Sequence, residues 1–433
     1  MKKTIIIFVI IFIGLFLALI PQMPSMDLIW PYGFSYNISQ GLIPYKDFNM
    51  IIGPLYSLLF SLPMLIFGNY LIVYKLMHII LYSIILTLCY KKIGNKVFLL
   101  IPLYYIQDTA FNYNIFIATM TILIMQFTDN KKKYNNLIIG LIIGFILMTK
   151  HNVGLALALV YLITSKKRVK SIIALSIPVA IALIYLIITK SLYGYINFCY
   201  LGMGSFISNL HIDIFTIIIW IILALYFIKK WLKTKDIKIL YILAFSIIIF
   251  PLIEFLHLLV VLIPAIYYIL ENEDNRIINR LIHVFIITGY ITILLGTKTP
   301  ELVLDNNFLK YNIIEKGSNN YTKNYVKYIK KVEGKVYLFL SDAYVLKLYQ
   351  NETPTFYDLI NKGNLGQDEQ TYINQIDKTC QKEKCTFFLD EVYFSKKRKK
   401  EEQISTTFKD YVIKNYSYVE TTPSNDRVYT NQK

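Results

Sequence analysis

Acidic residues are scarce in the first 298 positions of this 433-residue sequence. They number 10 against 24 Lys and Arg, a balance of +14, whereas residues 299–433 hold 18 against 21, a balance of +3. The net charge of +17 therefore does not describe a basic surface suited to nucleic acid. Most of the excess sits in short loops between apolar runs, where lysine and arginine set membrane orientation. Cysteine is equally sparse, with 4 in the chain. Cys89 and Cys199 fall in or near apolar runs and read as packing residues. Cys380 and Cys385 can pair if the tail lies outside the cell, but one pair is too few for a metal site. The tail has no nucleotide-binding loop and no nucleophile arrangement, and no internal repeat is seen along the chain. No small-residue cleavage site follows Ile20 and Pro21, so residues 1–21 read as a retained first span.

Apolar residues are abundant. They make up 55% of the chain, with a mean hydropathy of +0.48. They come in long runs that stop near Thr297, which predicts transmembrane helices up to that point and a water-soluble part after it. The expected fold is a polytopic α-helical membrane domain over 1–298, followed by a small extracytoplasmic α/β domain over 299–433.

Six basic clusters divide the apolar runs: Lys2 with Lys3, Lys91 and Lys92 with Lys96, residues 131–133, 166–170 and 229–238, and Arg276 with Arg280. If all six face the cytoplasm, each neighbouring pair must be joined by an even number of spans. Residues 97–128, 135–165 and 238–270 then form hairpins, with tips at 107–114, at Lys150 and His151, and near 251–254. The same parity makes 54–67, which carries Pro54 and Pro63, an interfacial helix on the outer side rather than a span. The expected result is about 11 spans, N-terminus inside and C-terminal domain outside. In that domain, 335–341, 386–389, 412–418 and 428–430 read as strands, and 342–350 and 369–381 as helices.

Ionisable groups at membrane depth are costly and need a reason. On this topology the outer face collects Asp27, Asp47, Asp108, Lys150, His151, Glu254 and His257. Lys150 and His151, at a hairpin tip, suit an anionic group such as a phosphate. Glu254 and His257 are three apart and share a helical face. They could orient a water or contribute to a metal site, although two groups do not define one. Gly41 and Pro44 make a turn that presents Tyr45 and Asp47. Trp30, Tyr32, Tyr36 and Tyr45 suit an interface belt or a surface that stacks on a sugar ring.

An aspartate just after the first span, then Gly41-x-x-Pro44-Tyr45-x-Asp47-Phe48, then Gly53-Pro54-Leu55 and an apolar stretch ending in Phe67-Gly68, resembles the polytopic glycosyltransferases of the GT-C class. These include protein O-mannosyltransferases and aminoarabinose transferases. Thr149-Lys150-His151 and Pro251-x-x-Glu254-x-x-His257 are similar to later motifs of that class. The resemblance implies an inverting transfer of a sugar from a polyprenyl-phosphate donor to a glycan, lipid or protein acceptor of the cell envelope. It implies a multi-pass enzyme in the cell membrane, working at its outer face among membrane lipid. Asp27 and Asp47 would be catalytic, Lys150 and His151 would bind the donor phosphate, and Glu254 with His257 would position substrate or a divalent metal ion. No cofactor is certain, since only some members need such an ion. Asp27 is followed by Leu28, so the adjacent second acid of many members is missing here. A transporter or flippase of a lipid-linked or anionic solute is the alternative. It predicts internal repeats and broken helices at mid-membrane.

The orientation has a direct test. After mild reduction, Cys380 and Cys385 should react with a membrane-impermeant thiol reagent on intact cells, and a cysteine placed at position 132 should react only after lysis. Tail labelling confined to lysed cells would reverse the topology.

Overall fold

The computed structural model describes residues 2–22, 26–105, 110–128, 134–202, 213–250, 253–272, 299–360, 364–366, 369–391 and 405–431, with scattered positions from 280 to 293. Asp108 and part of the expected last span, 281–297, lie outside the described residues. The chain is mostly helical, with several apolar helices and a small C-terminal sheet domain.

The first helix, α1 (Lys2–Leu19), buries Ile7, Ile11 and Leu15, spaced four apart on one face, and exposes much of its remaining apolar surface. It packs along α4 (Leu71–Ile93). Between them come α2 (Met26–Ser39) and α3 (Pro54–Phe67). The chain continues through α5 (Ile101–Tyr105), α6 (Tyr113–Thr128), α7 (Asn135–Leu147), α8 (His151–Thr164), α9 (Arg168–Ile188) and α10 (Leu192–Ile196). A π-helical turn, Asn197–Leu201, follows α10. The later helices Ile214–Thr234, Ile237–Phe245 and Phe255–Asn272 complete the helical body among the described residues.

By length and composition, five helical stretches can cross a membrane: Lys2–Leu19, Leu71–Tyr105, Arg168–Ile188, Ile214–Thr234 and Phe255–Asn272. The α3, α6, α7 and α8 helices and Ile237–Ile249 are apolar but shorter. A 14-residue helix such as α8 extends only about 21 Å, less than a hydrocarbon core of about 30 Å. Helices α7 and α8 nonetheless form the hairpin expected from the sequence, with Lys150 at its tip. Gly154 makes that turn tight, because a Cβ there would lie 2.2 Å from Leu147 Cα.

Between the first helix and α3, one element was not assigned from the sequence and one reading changes. Residues 26–39 are helical, although Pro31 lies inside the helix. Tyr32 and Tyr45, expected to face an interface or a sugar, are core residues. The Tyr32 hydroxyl donates to Asn69 O at 2.7 Å, and Tyr45 donates to Ile52 O. Helix α3 buries its N-terminal half and exposes Leu62, Leu65, Ile66 and Phe67 towards its other end.

In the C-terminal domain, β1 (Pro300–Leu302) and β2 (Ile313–Glu315) pair antiparallel. A second sheet has the order β3-β4-β6-β5. Its strands are β3 (Lys335–Phe339), β4 (Cys385–Leu389), β5 (Ser417–Thr421) and β6 (Arg427–Thr430). Parallel β3 and β4 are joined by a crossover containing helices Ala343–Tyr349 and Glu369–Cys380. All five residues of β4 are buried, as its unbroken apolar run requires of an inner strand. Cys380 and Cys385 form a disulfide between the crossover helix and β4. Residues 412–418, read as a strand, divide instead: Val412 is the buried anchor of helix Thr406–Asn415, and β5 begins at Ser417.

The domain rests on the outer segment of the helical body. Asn37 Nδ2 donates to Pro354 O at 2.9 Å, and Asn49 Nδ2 donates to Leu359 O at 2.7 Å. The Tyr344 ring packs edge-on against Phe34 and fills the space above Gly33, where a Cβ would meet it at 2.2 Å.

Past the end of β3, burial and the nearby Asp426 carboxylate push the Asp342 carboxyl up to about 6. Its folded value lies above the unfolded one, so the folded state binds the proton more tightly. Asp342 therefore adds stability as pH falls through about 6 towards the unfolded carboxylate value, and that contribution is absent above it. Asp342→Asn should stabilise the full chain at pH 7.5 by about 1–2 kcal/mol and leave it little changed near pH 4. Thermal unfolding in detergent at both pH values checks this; an equal shift at both would remove Asp342 as the titrating group.

Candidate functional site

The polar residues near Asp27 are held by contacts that satisfy backbone groups at breaks between helices. Helix α1 ends at Leu19, and the chain turns into α2 within a few residues. Lys75, fully buried in α4, donates from Nζ to Ile20 O at 3.0 Å and to Gln22 O at 2.8 Å. Gln22 Nε2 donates to Tyr105 O at 2.9 Å. These bonds pin the joint that leads into Asp27. Asp27 itself stands exposed in the first turn of α2, where unpaired N–H groups favour a carboxylate.

A second set of side chains fixes the entry to α6. The Tyr74 hydroxyl donates to Phe111 O at 3.1 Å, and that of Tyr82 donates to Ala110 O at 2.9 Å. His78 Nε2 lies 2.8 Å from Tyr56 Oη, and its Nδ1 lies 2.9 Å from Tyr74 O. A proton on Nδ1 satisfies both contacts, with Tyr56 donating to Nε2. Asn112 Oδ1 then accepts from Ile115 N at 3.0 Å and starts the helix, leaving Tyr113 and Asn114 at its mouth.

Lys150 meets them there. Its Nζ donates to Asn114 Oδ1 at 2.9 Å and lies 5.7 Å from the centre of the Tyr113 ring. Asp27 is within electrostatic reach of both Lys150 and Tyr113. His257 is within electrostatic reach of Lys150 as well, and its buried Nδ1 has no hydrogen-bond partner among the described residues. The hairpin tip is held to the outer segment by the backbone: Gly53 N donates to Thr149 O at 2.9 Å and Leu55 N to Met148 O at 3.3 Å. Gly53 permits this approach, since a Cβ would lie 2.1 Å from Met148 O.

The other candidates have different surroundings. His151 does not share Lys150's partners; its Nε2 bonds Tyr195 Oη, which lies 3.3 Å from Tyr200 Oη. Asp47 Oδ2 accepts from Ile43 N at 2.7 Å and closes the turn from residue 43 to 47, with Tyr185 within electrostatic reach. Glu254 precedes its helix rather than occupying the first turn, and its carbonyl accepts from His257 N at 3.1 Å. Asn152 Nδ2 donates to Phe250 O at 3.0 Å and ties that approach to α8. Among the described residues, no group of three or more His, Cys, Asp or Glu side chains could hold a metal ion.

The contributions of Asn114, Tyr113 and Lys75 were not drawn from the sequence. The polar tip containing Asn112 and Asn114 was visible, but nothing in it named Lys150 as the partner. Lys75 was visible as a lysine inside an apolar run, which is itself the signal.

No protein-family model matches this chain, and no curated protein does. Among solved structures, the oligosaccharyltransferase of Archaeoglobus fulgidus, crystallised as a complex with Zn and sulfate, superimposes with a TM-score of 0.44 at 12% identity. The match covers 98% of this chain and 73% of that one. A likeness this remote carries nothing about chemistry.

Lys75→Met removes the donor to two carbonyls at the joint between α1 and α2. It should cost about 1–3 kcal/mol, seen as a lower thermal midpoint of the detergent-solubilised chain. An unchanged midpoint would mean that Lys75 does not hold the joint.

Proposed function

We propose that this chain is a membrane glycosyltransferase that moves a sugar from a polyprenyl-phosphate donor to an envelope acceptor at the outer face of the membrane. One observation carries the reading: an exposed carboxylate at a helix start, Asp27, lies within electrostatic reach of Lys150 at the tip of a separate hairpin. A base and a cation held together at a helix-break mouth suit a reaction in which a proton is removed at one end and negative charge develops at the other.

Asp27 takes the proton of the acceptor hydroxyl as its oxygen bonds to the anomeric carbon. The bond from that carbon to the phosphate oxygen breaks, and the electron pair leaves with the polyprenyl phosphate. Lys150 neutralises that leaving charge from its seat on Asn114. His257, with its unpartnered Nδ1, supplies a second polar contact to the phosphate or the sugar. Asp47 and His151 act through structure in this scheme, one closing the 43–47 turn and the other joining α8 to Tyr195. Glu254 sets the entry of the His257 helix. Residues 1–298 form the transferase body, and residues 299–433 lie outside the membrane against the outer segment.

Asp27→Asn keeps the shape but cannot accept the proton, and turnover should fall by roughly 100-fold or more. Donor binding should change little. Lys150→Ala should weaken donor binding as well as turnover. Release of polyprenyl phosphate from a lipid-linked sugar by the purified chain is the readout. Wild-type protein that moves the lipid-linked solute across vesicles without releasing polyprenyl phosphate would be a transporter. Near-normal transfer by the Asp27→Asn protein would take Asp27 out of the mechanism.

A further inference from the structure

At the end of the helical body opposite the α1–α2 joint, the start of α1 and the end of α4 enclose a cleft of about 530 Å³. That size is typical of small-molecule sites. Lys3 and Thr4 line it from α1, and Thr87, Tyr90, Lys91 and Lys92 from α4. The three lysines are not equivalent. Lys92 lies 3.5 Å from Glu271, which Lys238 also approaches at 3.2 Å, so it has an acidic partner within the protein. Lys3 and Lys91 are exposed, and among the described residues no carboxylate lies within ion-pair distance of either. Lys3 Nζ instead stands 5.8 Å from the centre of the Tyr90 ring.

The surface leading away from the cleft is apolar on both helices. Ile6 and Ile10 follow Lys3 at three and seven residues, and Ile84 and Ile80 precede Lys91 at seven and eleven. These spacings put each pair on the face of its lysine. All four isoleucines are exposed. Two cations without an acidic partner among the described residues, at the mouth of an apolar surface, match a ligand with an anionic head and hydrocarbon chains, whereas a free phosphate would use only the mouth.

We propose that this cleft is a binding site for an anionic phospholipid, with the headgroup phosphate between Lys3 and Lys91 and the acyl chains along the isoleucine stripes. The site is separate from the proposed transfer chemistry and stands or falls without it. In the orientation expected from the basic loops, the lipid belongs to the inner leaflet.

Native mass spectrometry of the full-length protein in detergent, titrated with phosphatidylglycerol or phosphatidylcholine, tests the proposal. Lys3→Gln and Lys91→Gln should each weaken phosphatidylglycerol binding about five-fold, and together roughly 25-fold, the loss expected for one lysine each near an anionic headgroup. Phosphatidylcholine binding should not change, and Lys3→Arg with Lys91→Arg should retain wild-type binding and show that the fold tolerates substitution there. Lys167→Gln with Lys170→Gln, in the second basic cleft at the start of α9, removes the same charge elsewhere. If that pair weakens phosphatidylglycerol binding as much, the lipid is held by diffuse surface charge and the proposal fails. It fails too if glycerol phosphate displaces the lipid at equal concentration, because the apolar stripes would then contribute nothing.

Discussion

Where a helix stops inside an apolar body, its last carbonyls and the next helix's first N–H groups must find partners, because water and lipid tails cannot both be at hand. This constraint organises the part of the protein around Asp27 and Lys150. Lys75 serves the end of α1, and Tyr74 and Tyr82 serve the carbonyls before α6. The backbone of residues 53–55 serves the tip of the α7–α8 hairpin. Each solution fixes one member of the polar group: Asp27, Tyr113 with Asn114, and Lys150.

The short helices follow from the same requirement. A helix of 13 or 14 residues leaves its end groups within the apolar layer unless other protein covers them. Here the backbone of residues 53–55 covers the α7–α8 tip, and the C-terminal domain packs on the residues just before it, from 33 to 49. The buried asparagines Asn37 and Asn49 each give a side-chain N–H to a carbonyl of that domain. The shortness of these helices and the position of the C-terminal domain are thus two sides of one packing problem.

Much of this was legible in the residues, and the failures have physical causes. The hairpin at Lys150 showed itself because two charged-type residues interrupt an apolar run at its middle. Strands β3, β4 and β6 showed themselves as short apolar runs bounded by turns. Helix α2 did not, because Pro31 and Gly33 weaken local helical preference and the covering domain restores the helix from outside. Tyr32 and Tyr45 looked like interface residues for the same reason, since their burial depends on segments far away in sequence. Val412 was misread because a single buried valine in a short amphipathic helix resembles the start of a strand. That Asp27 and His257 both lie within electrostatic reach of Lys150 depends on the packing of three distant segments, which no spacing encodes.

The seat of Tyr344 on Gly33 has an evolutionary reading. A hydrogen is all that fits at position 33 while the aromatic ring stays where it is. The helix that bears Asp27 and the first crossover helix of the soluble domain are therefore cut to one another's shape, as a tenon is to its mortise. Recombination that joins this membrane body to a foreign outer domain must bring along a matching residue at 33 or leave a hole beside α2. A change of shape at either residue must therefore be answered at the other.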